Sequence, residues 1–217
     1  MVALSVGSIT RGYARQMQRR VFMLYTLAGG FVMSSLFTYI SGAAFVFTDY
    51  YSLSPALFSY LFAANSVALI LGGVVSNRLL SRGATAARVT YIGLGVHALA
   101  GGLLYIAVLA DAASLPLYTG LLAIAIGALG LIIGNLIALT MNNGGPQSGV
   151  ASALMGTLHY LVAAVVGYIA SLAAQPAHFM PLALALCGAF AIGLCRLASA
   201  VTETDPAQGS TQANAVR

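Results

Sequence analysis

Apolar runs and short polar breaks alternate along the chain, and the length of the runs decides the fold class. Val21 to Phe47 carries no charged residue, and Pro55 to Leu80 carries none before Arg78. Each is long enough to cross a hydrocarbon core of about 30 Å as an α-helix. The turn between them, Thr48 to Ser54, is so short that the second run must return through the membrane. Further apolar windows near Val89 to Ala110, Leu115 to Met141, Val150 to Ala174 and Phe179 to Ala200 bring the spans to six. The breaks carry turn residues: Ser81-Arg82-Gly83, Asp111 to Ser114, Asn142 to Pro146 and Gln175 to His178. The pattern predicts an all-α integral membrane protein, a six-helix transmembrane bundle over 21–200. It is preceded by a basic lead-in over 1–20 and followed by a polar, disordered tail over 201–217.

Composition narrows this further. With 60% hydrophobic and 6% charged residues and a mean hydropathy of +0.94, the 217-residue chain has too little polar surface to cover a water-soluble globule. Its net charge of +5 would suggest nucleic acid in a soluble protein, but every basic residue is an arginine, and the arginines gather in the flanks and at the ends of the spans. Headgroups and topology account for that placement, and no nucleic-acid partner is expected. Arg11, Arg15, Arg19, Arg20, Arg78, Arg82, Arg88, Arg196 and Arg217 all fall on one side of the six-span map, with Asp49, Asp111 and His178 on the other. Both termini are therefore expected in the cytoplasm. The spacing of Arg11, Arg15 and Arg19 suits a short interfacial helix facing headgroups, or simply a basic topogenic flank. The first apolar run is too long for a signal-peptide core, so no cleavable signal is expected.

Polar residues at membrane depth are the candidate chemistry, because each costs free energy unless a partner or water satisfies it. In the first span Ser34, Thr38 and Ser41 share a helical face, with Phe31, Phe37 and Phe45 supplying aromatic surface. Such a face either lines a cavity for apolar, drug-like molecules or bonds its hydroxyls back to its own helix. Asn65 and Asn135 serve either as interhelical glue or as substrate-binding groups. His159 faces inward with Ser152, Gly156 and Ala163, for substrate, proton coupling or a bond to a neighbouring helix. His97, between Gly93 and Gly101, reads as structural. Small residues four apart, as in Gly130/Gly134, Gly149/Ala153, Ser152/Gly156 and Ala163/Gly167, predict close helix packing, and Gly29-Gly30 predicts a bend in the first span.

Several chemistries are excluded. No carboxylate lies inside any span, so only histidine is present to carry a proton there. No Gly-x-Ser-x-Gly, metal-ligand cluster or phosphate-binding loop is present, so neither an enzyme nor a metal or cofactor is expected. Ser152 and His159, two turns apart on one helix and roughly 10 Å distant, cannot act as a nucleophile and base. Cys187 and Cys195 stand about 12 Å apart along one helix and read as small buried hydrophobes.

Leu36 to Gly42, then Tyr51-Ser52-Leu53-Ser54-Pro55 and Phe58, then Ala64-Asn65, resemble the seventh and eighth segments of the Bcr/CflA drug-resistance family. That family belongs to the drug:proton antiporters of the major facilitator superfamily. Gly73 to Arg78 followed by Arg82-Gly83 resembles the cytoplasmic loop motif Gly-x-x-x-Asp-Arg…Arg-x-Gly, with Asn77 in place of aspartate. Gly134-Asn135 and Gly149 to Gly156 are similar to the tenth and eleventh segments. The resemblance runs from Arg19 to Ala200 and implies the C-terminal half of such a transporter. It implies a bacterial inner-membrane location, efflux of drug-like substrates coupled to protons, and a complementary six-helix half or second copy. It further implies Tyr25, Phe37, Thr38, Asn65, Asn135 and His159 at the substrate cavity, and Gly73, Asn77, Arg78, Arg82 and Gly83 as the conformational motif. The alternative is a non-transporting regulatory or structural membrane protein that assembles with partner helices.

Overall fold

In the computed structural model, residues 6–172 and 176–204 are described, and all regular structure among them is helical. A short helix, α1 (Val6–Met17), is followed by six long ones: α2 (Arg20–Phe45), α3 (Pro55–Ser81), α4 (Ala86–Leu109), α5 (Leu115–Asn142), α6 (Ser148–Ser171) and α7 (Pro176–Thr204). A π-helical turn, Val46–Tyr50, extends α2. The helices from α2 onward are each long and apolar enough to cross a membrane. Helices are the economical solution in lipid, since every backbone N–H and C=O is satisfied within its own segment.

Local chemistry sets the starts. Ser54 Oγ accepts from Leu57 N at 3.3 Å with Pro55 at the first position of α3, and Thr85 Oγ1 accepts from Arg88 N at 3.2 Å ahead of α4. Pro176 opens α7, where a missing N–H costs nothing, so this helix begins before the expected Phe179. It also runs past Ala200 to Thr204, with Thr202 Oγ1 bonding the Ala198 carbonyl at 2.9 Å. The remainder of the expected tail, 205–217, lies outside the described residues, as do the last residues of the fifth predicted span, 173–174. The lead-in is helical over α1, but the chain turns into extended backbone at Arg19. Arg11 and Arg15 therefore share α1, and Arg19 does not.

α2 and α5 form the middle of the bundle. α2 packs on α5, α6 and α7, while α5 packs on α2, α3 and α4, and α4 in turn packs on α7. Val32 and Tyr39 of α2 and Phe47 of the π-helical turn meet Leu94 and Leu104 of α4, Leu122, Ile126, Leu129 and Ile132 of α5, and Leu184 of α7 in one buried core. α3 and α6 sit on the flanks and leave most of their surface uncovered.

Two packing expectations change. α2 stays α-helical through Gly29-Gly30, and these glycines admit α6 instead of bending α2. A Cβ at Gly29 would collide with the His159 ring, and one at Gly30 would stand 3.0 Å from Val162 Cβ. Of the predicted four-residue glycine pairs, Gly130 makes a close contact and Gly134, Gly149, Gly156 and Gly167 face open space. The tightest crossing instead joins α3 and α5. A Cβ at Gly72 would overlap the Gly127 carbonyl oxygen, and one at Gly130 the Leu69 carbonyl oxygen.

Candidate functional site

The seam between α2 and α6 brings aromatic, hydroxyl and small residues together. Phe37, Ser41, Tyr160, Ala163, Ala164 and Gly167 line a groove of about 350 Å³, within the size range of small-molecule sites. Phe37 and Tyr160 meet edge-on at 6.0 Å and form its aromatic wall. Ala163, Ala164 and Gly167 make room on the α6 side because they carry almost no side chain. No charged side chain among the described residues lines this groove, so it suits apolar or amphipathic molecules that offer a ring and a hydrogen-bonding group.

Deeper in the same seam His159 is buried against α2. Its ring lies beside the Thr26 backbone and close to Gly29, and its Nε2 has no partner among the described residues. Thr38 is buried as well, and its hydroxyl has no partner among the described residues. Ser34, by contrast, donates to the Gly30 carbonyl at 2.8 Å and is spent on its own helix.

A second groove, about 800 Å³, opens between α3 and α5 at the arginine-bearing end, lined in part by Gly73, Ser76, Asn77, Arg78, Gly134 and Asn135. Asn135 Nδ2 donates to Ser76 Oγ and to the Leu131 carbonyl, both at 2.7 Å, which ties α5 to α3 along the groove floor. Gly83 closes α3 with φ +90°, a left-handed backbone that glycine adopts without Cβ strain, and its N–H bonds the Leu80 carbonyl at 2.9 Å.

Against known proteins, no family model matches the chain, but individual relatives do. It is 31% identical over 174 residues to the "Uncharacterized MFS-type transporter YdgK" of Bacillus subtilis, an alignment covering 75% of this chain and 40% of the relative. It is 24% identical over 166 residues to the "Bicyclomycin resistance protein homolog" of Haemophilus influenzae, covering 76% and 41%. The chain is a six-helix half of the major facilitator type, Bcr/CflA-like in sequence. It spans about two fifths of the length of the curated relatives it matches.

Within this facilitator half the six cavity candidates do not converge on one pocket. Phe37 lines the α2–α6 groove and His159 stands deeper in its seam, whereas Asn135 belongs to the α3–α5 groove. Tyr25 turns to the other side of α2, toward Ser199 of α7, whose hydroxyl bonds the Tyr91 hydroxyl at 3.1 Å. Asn65 Nδ2 donates to Tyr39 Oη at 3.1 Å between α3 and α2, and Tyr39 stacks on Phe62. Of the motif residues, Gly73, Asn77 and Arg78 line the α3–α5 groove, while Arg82 and Gly83 form the end of α3.

Ser41 belongs to the α2 face read from the sequence as possible cavity lining; the groove residues that reading missed are Tyr160, Ala163, Ala164 and Gly167. Their signal was present: Tyr160, Ala163, Ala164 and Gly167 recur at i, i+3, i+4 and i+7, the spacing of one helical face. That stripe of small residues read as packing, and in the facilitator half it is a recess.

Proposed function

We propose that this chain is one half of a proton-coupled drug-efflux transporter of the bacterial inner membrane, working by alternating access with a second six-helix half. Both termini lie in the cytoplasm in this reading, which follows from the arginines gathered at one end of the bundle. The observation that carries it is the α2–α6 groove, an aromatic and hydroxyl-bearing recess whose described lining carries no charge. Phe37 and Tyr160 would stack on the substrate, Ser41 would hydrogen-bond it, and His159 and Thr38 would supply polar groups deeper in the seam. Gly73, Asn77 and Arg78, lining the second groove, would meet the other half as it rocks.

A span without any carboxylate has no ordinary proton carrier, so the acid that loads the proton would come from the second half. The same observation favours the rival reading, a non-transporting protein that assembles with partner helices. Vesicles holding this chain together with a six-helix partner bearing an intramembrane acid separate the two. Drug export driven by a pH gradient supports the transporter. Stable assembly with no export in any pairing supports the rival.

A further inference from the structure

α6 is held differently from the helices of the central core. Among the described residues it contributes no side chain to the main buried cluster, which α2, α4, α5 and α7 build. It is anchored instead in a smaller cluster at the arginine-bearing end, where Ala151, Leu154 and Met155 meet Phe22 of α2 and Tyr13 of α1 packs against them. Elsewhere α6 rests chiefly on α2. Whatever steadies this small cluster therefore decides how firmly α6 is fixed at that end.

α1 is placed to do so. Gly12, Tyr13 and Gln16 fall within about 100° of one another around the helix, and this is the face turned to the bundle. Gly12 and Gln16 are buried, and Tyr13 is half-buried. Gly12 lets α1 approach the first turn of α6 closely, since a Cβ there would stand 3.2 Å from Gln147 Oε1 and 3.6 Å from Val150 Cγ2. The other end of α1 runs into α2 through Gln18 and Arg19, with Arg19 N donating to the Gln16 carbonyl at 3.1 Å. The Arg19 guanidinium lies across Gly145 in the turn leaving α5, where the carbonyls of a helix C-terminus favour a cation. One short helix thus spans from the start of α2 to the start of α6.

Along the α2–α6 seam the clasp comes first, at Phe22 and Leu154. The contact of His159 with Gly29 follows, and the recess of Phe37, Ser41 and Gly167 lies beyond it. The seam is shut at the arginine-bearing end and hollow toward the other. We propose that α1 is a strap that keeps the arginine-bearing end of the seam shut, and that its release lets α6 pivot at the His159–Gly29 contact and open that end. This holds whether or not the chain transports, since only α1, α2 and α6 take part.

Amide hydrogen exchange of the full chain in lipid nanodiscs tests it. Tyr13→Ala removes the wall that α1 adds to the cluster, and Gly12→Leu wedges α1 away from Gln147 and Val150. Either should speed exchange over Ala151 to Leu158 by about tenfold or more and leave Ala100 to Leu104 of α4 unchanged. Tyr13→Phe keeps the ring and should exchange like the parent. Unchanged exchange over Ala151 to Leu158 in both disrupting variants overturns the strap. So does an equal rise in every helix, which would mark a general loss of stability. Should neither variant fold, the parent chain in rising urea decides. A strap requires Tyr13 to Met17 and Ala151 to Leu158 to open together, with one urea dependence. Free exchange over Tyr13 to Met17 while Ala151 to Leu158 stay protected overturns it.

Discussion

His97 Nε2 stands 3.0 Å from Ser35 Oγ, while the other ring nitrogen, Nδ1, reaches the Ala125 carbonyl at 2.8 Å. The carbonyl can only accept, so Nδ1 carries the proton and Nε2 accepts from the Ser35 hydroxyl. One fully buried imidazole therefore joins α4 to α5 and α2 in a single tautomer. Ser35→Ala would strand Nε2 in the core at a cost of about 1 kcal/mol. Unfolding of the purified chain in detergent should show that loss. The double variant Ser35→Ala/His97→Ala should fall short of the sum of the single losses, as expected for contacting residues.

The fit of His159 against Gly29 makes a reciprocal prediction. Gly29→Ala should push the ring out of its seam and destabilise the bundle by roughly 1–3 kcal/mol, the usual cost of overpacking. Adding His159→Ala should recover part of the loss by vacating the space. If Gly29→Ala is neutral on its own by thermal unfolding, the close approach of α6 to α2 is wrong.

Along the α3–α5 crossing, Gly72→Ala and Gly130→Ala should each cost about 1–3 kcal/mol, because each added methyl meets a backbone carbonyl. Gly134→Ala, on the same helix but facing open space, should stay within about 0.5 kcal/mol of the parent. Melting temperatures of the three variants, compared side by side, check this.

Tyr51, in the turn after α2, donates to the Ala113 carbonyl at 2.6 Å and so ties that turn to the one between α4 and α5. Burial, with a smaller contribution from Tyr50, pushes its phenol up to about 12. A raised value means the folded state holds the proton more tightly than the unfolded one. The tie's contribution is thus complete below pH 10 and fades as pH rises toward 12. Tyr51→Phe should flatten the fall in melting temperature over that window.

In a transport-competent pairing, Phe37→Ala or Tyr160→Ala should raise the drug concentration needed for half-maximal efflux by about 2- to 10-fold, the worth of one aromatic contact. Phe190→Ala, whose ring stacks on Phe31 at 5.2 Å outside the groove, should leave it unchanged. Concentration series in loaded vesicles distinguish these outcomes.

The six spans were legible because twenty apolar residues leave few alternatives, and because the arginines at their ends tested the map independently of hydropathy. Single-residue roles were less legible. Gly29-Gly30 looked like a hinge because sequence does not show which side chain arrives from α6. Tyr25, Asn65 and Asn135 shared the property of being polar at depth, but the direction each faces depends on which helices are neighbours. The recess beside Tyr160 escaped because small residues mark tight packing and open space equally well. The break at Arg19 had no turn residue to announce it.

The contact between Gly72, Gly127 and Gly130 has a mechanical side. Where two helices meet through bare backbone, no side chains interlock, and lengthwise displacement need not lift one row of knobs over another. α3 rests chiefly on α5 and is loosely held elsewhere, so the pair resembles a rail and its runner. Axial slip of α3 would have to break two buried bonds, Asn135–Ser76 to α5 and Asn65–Tyr39 to α2, and these two set its register.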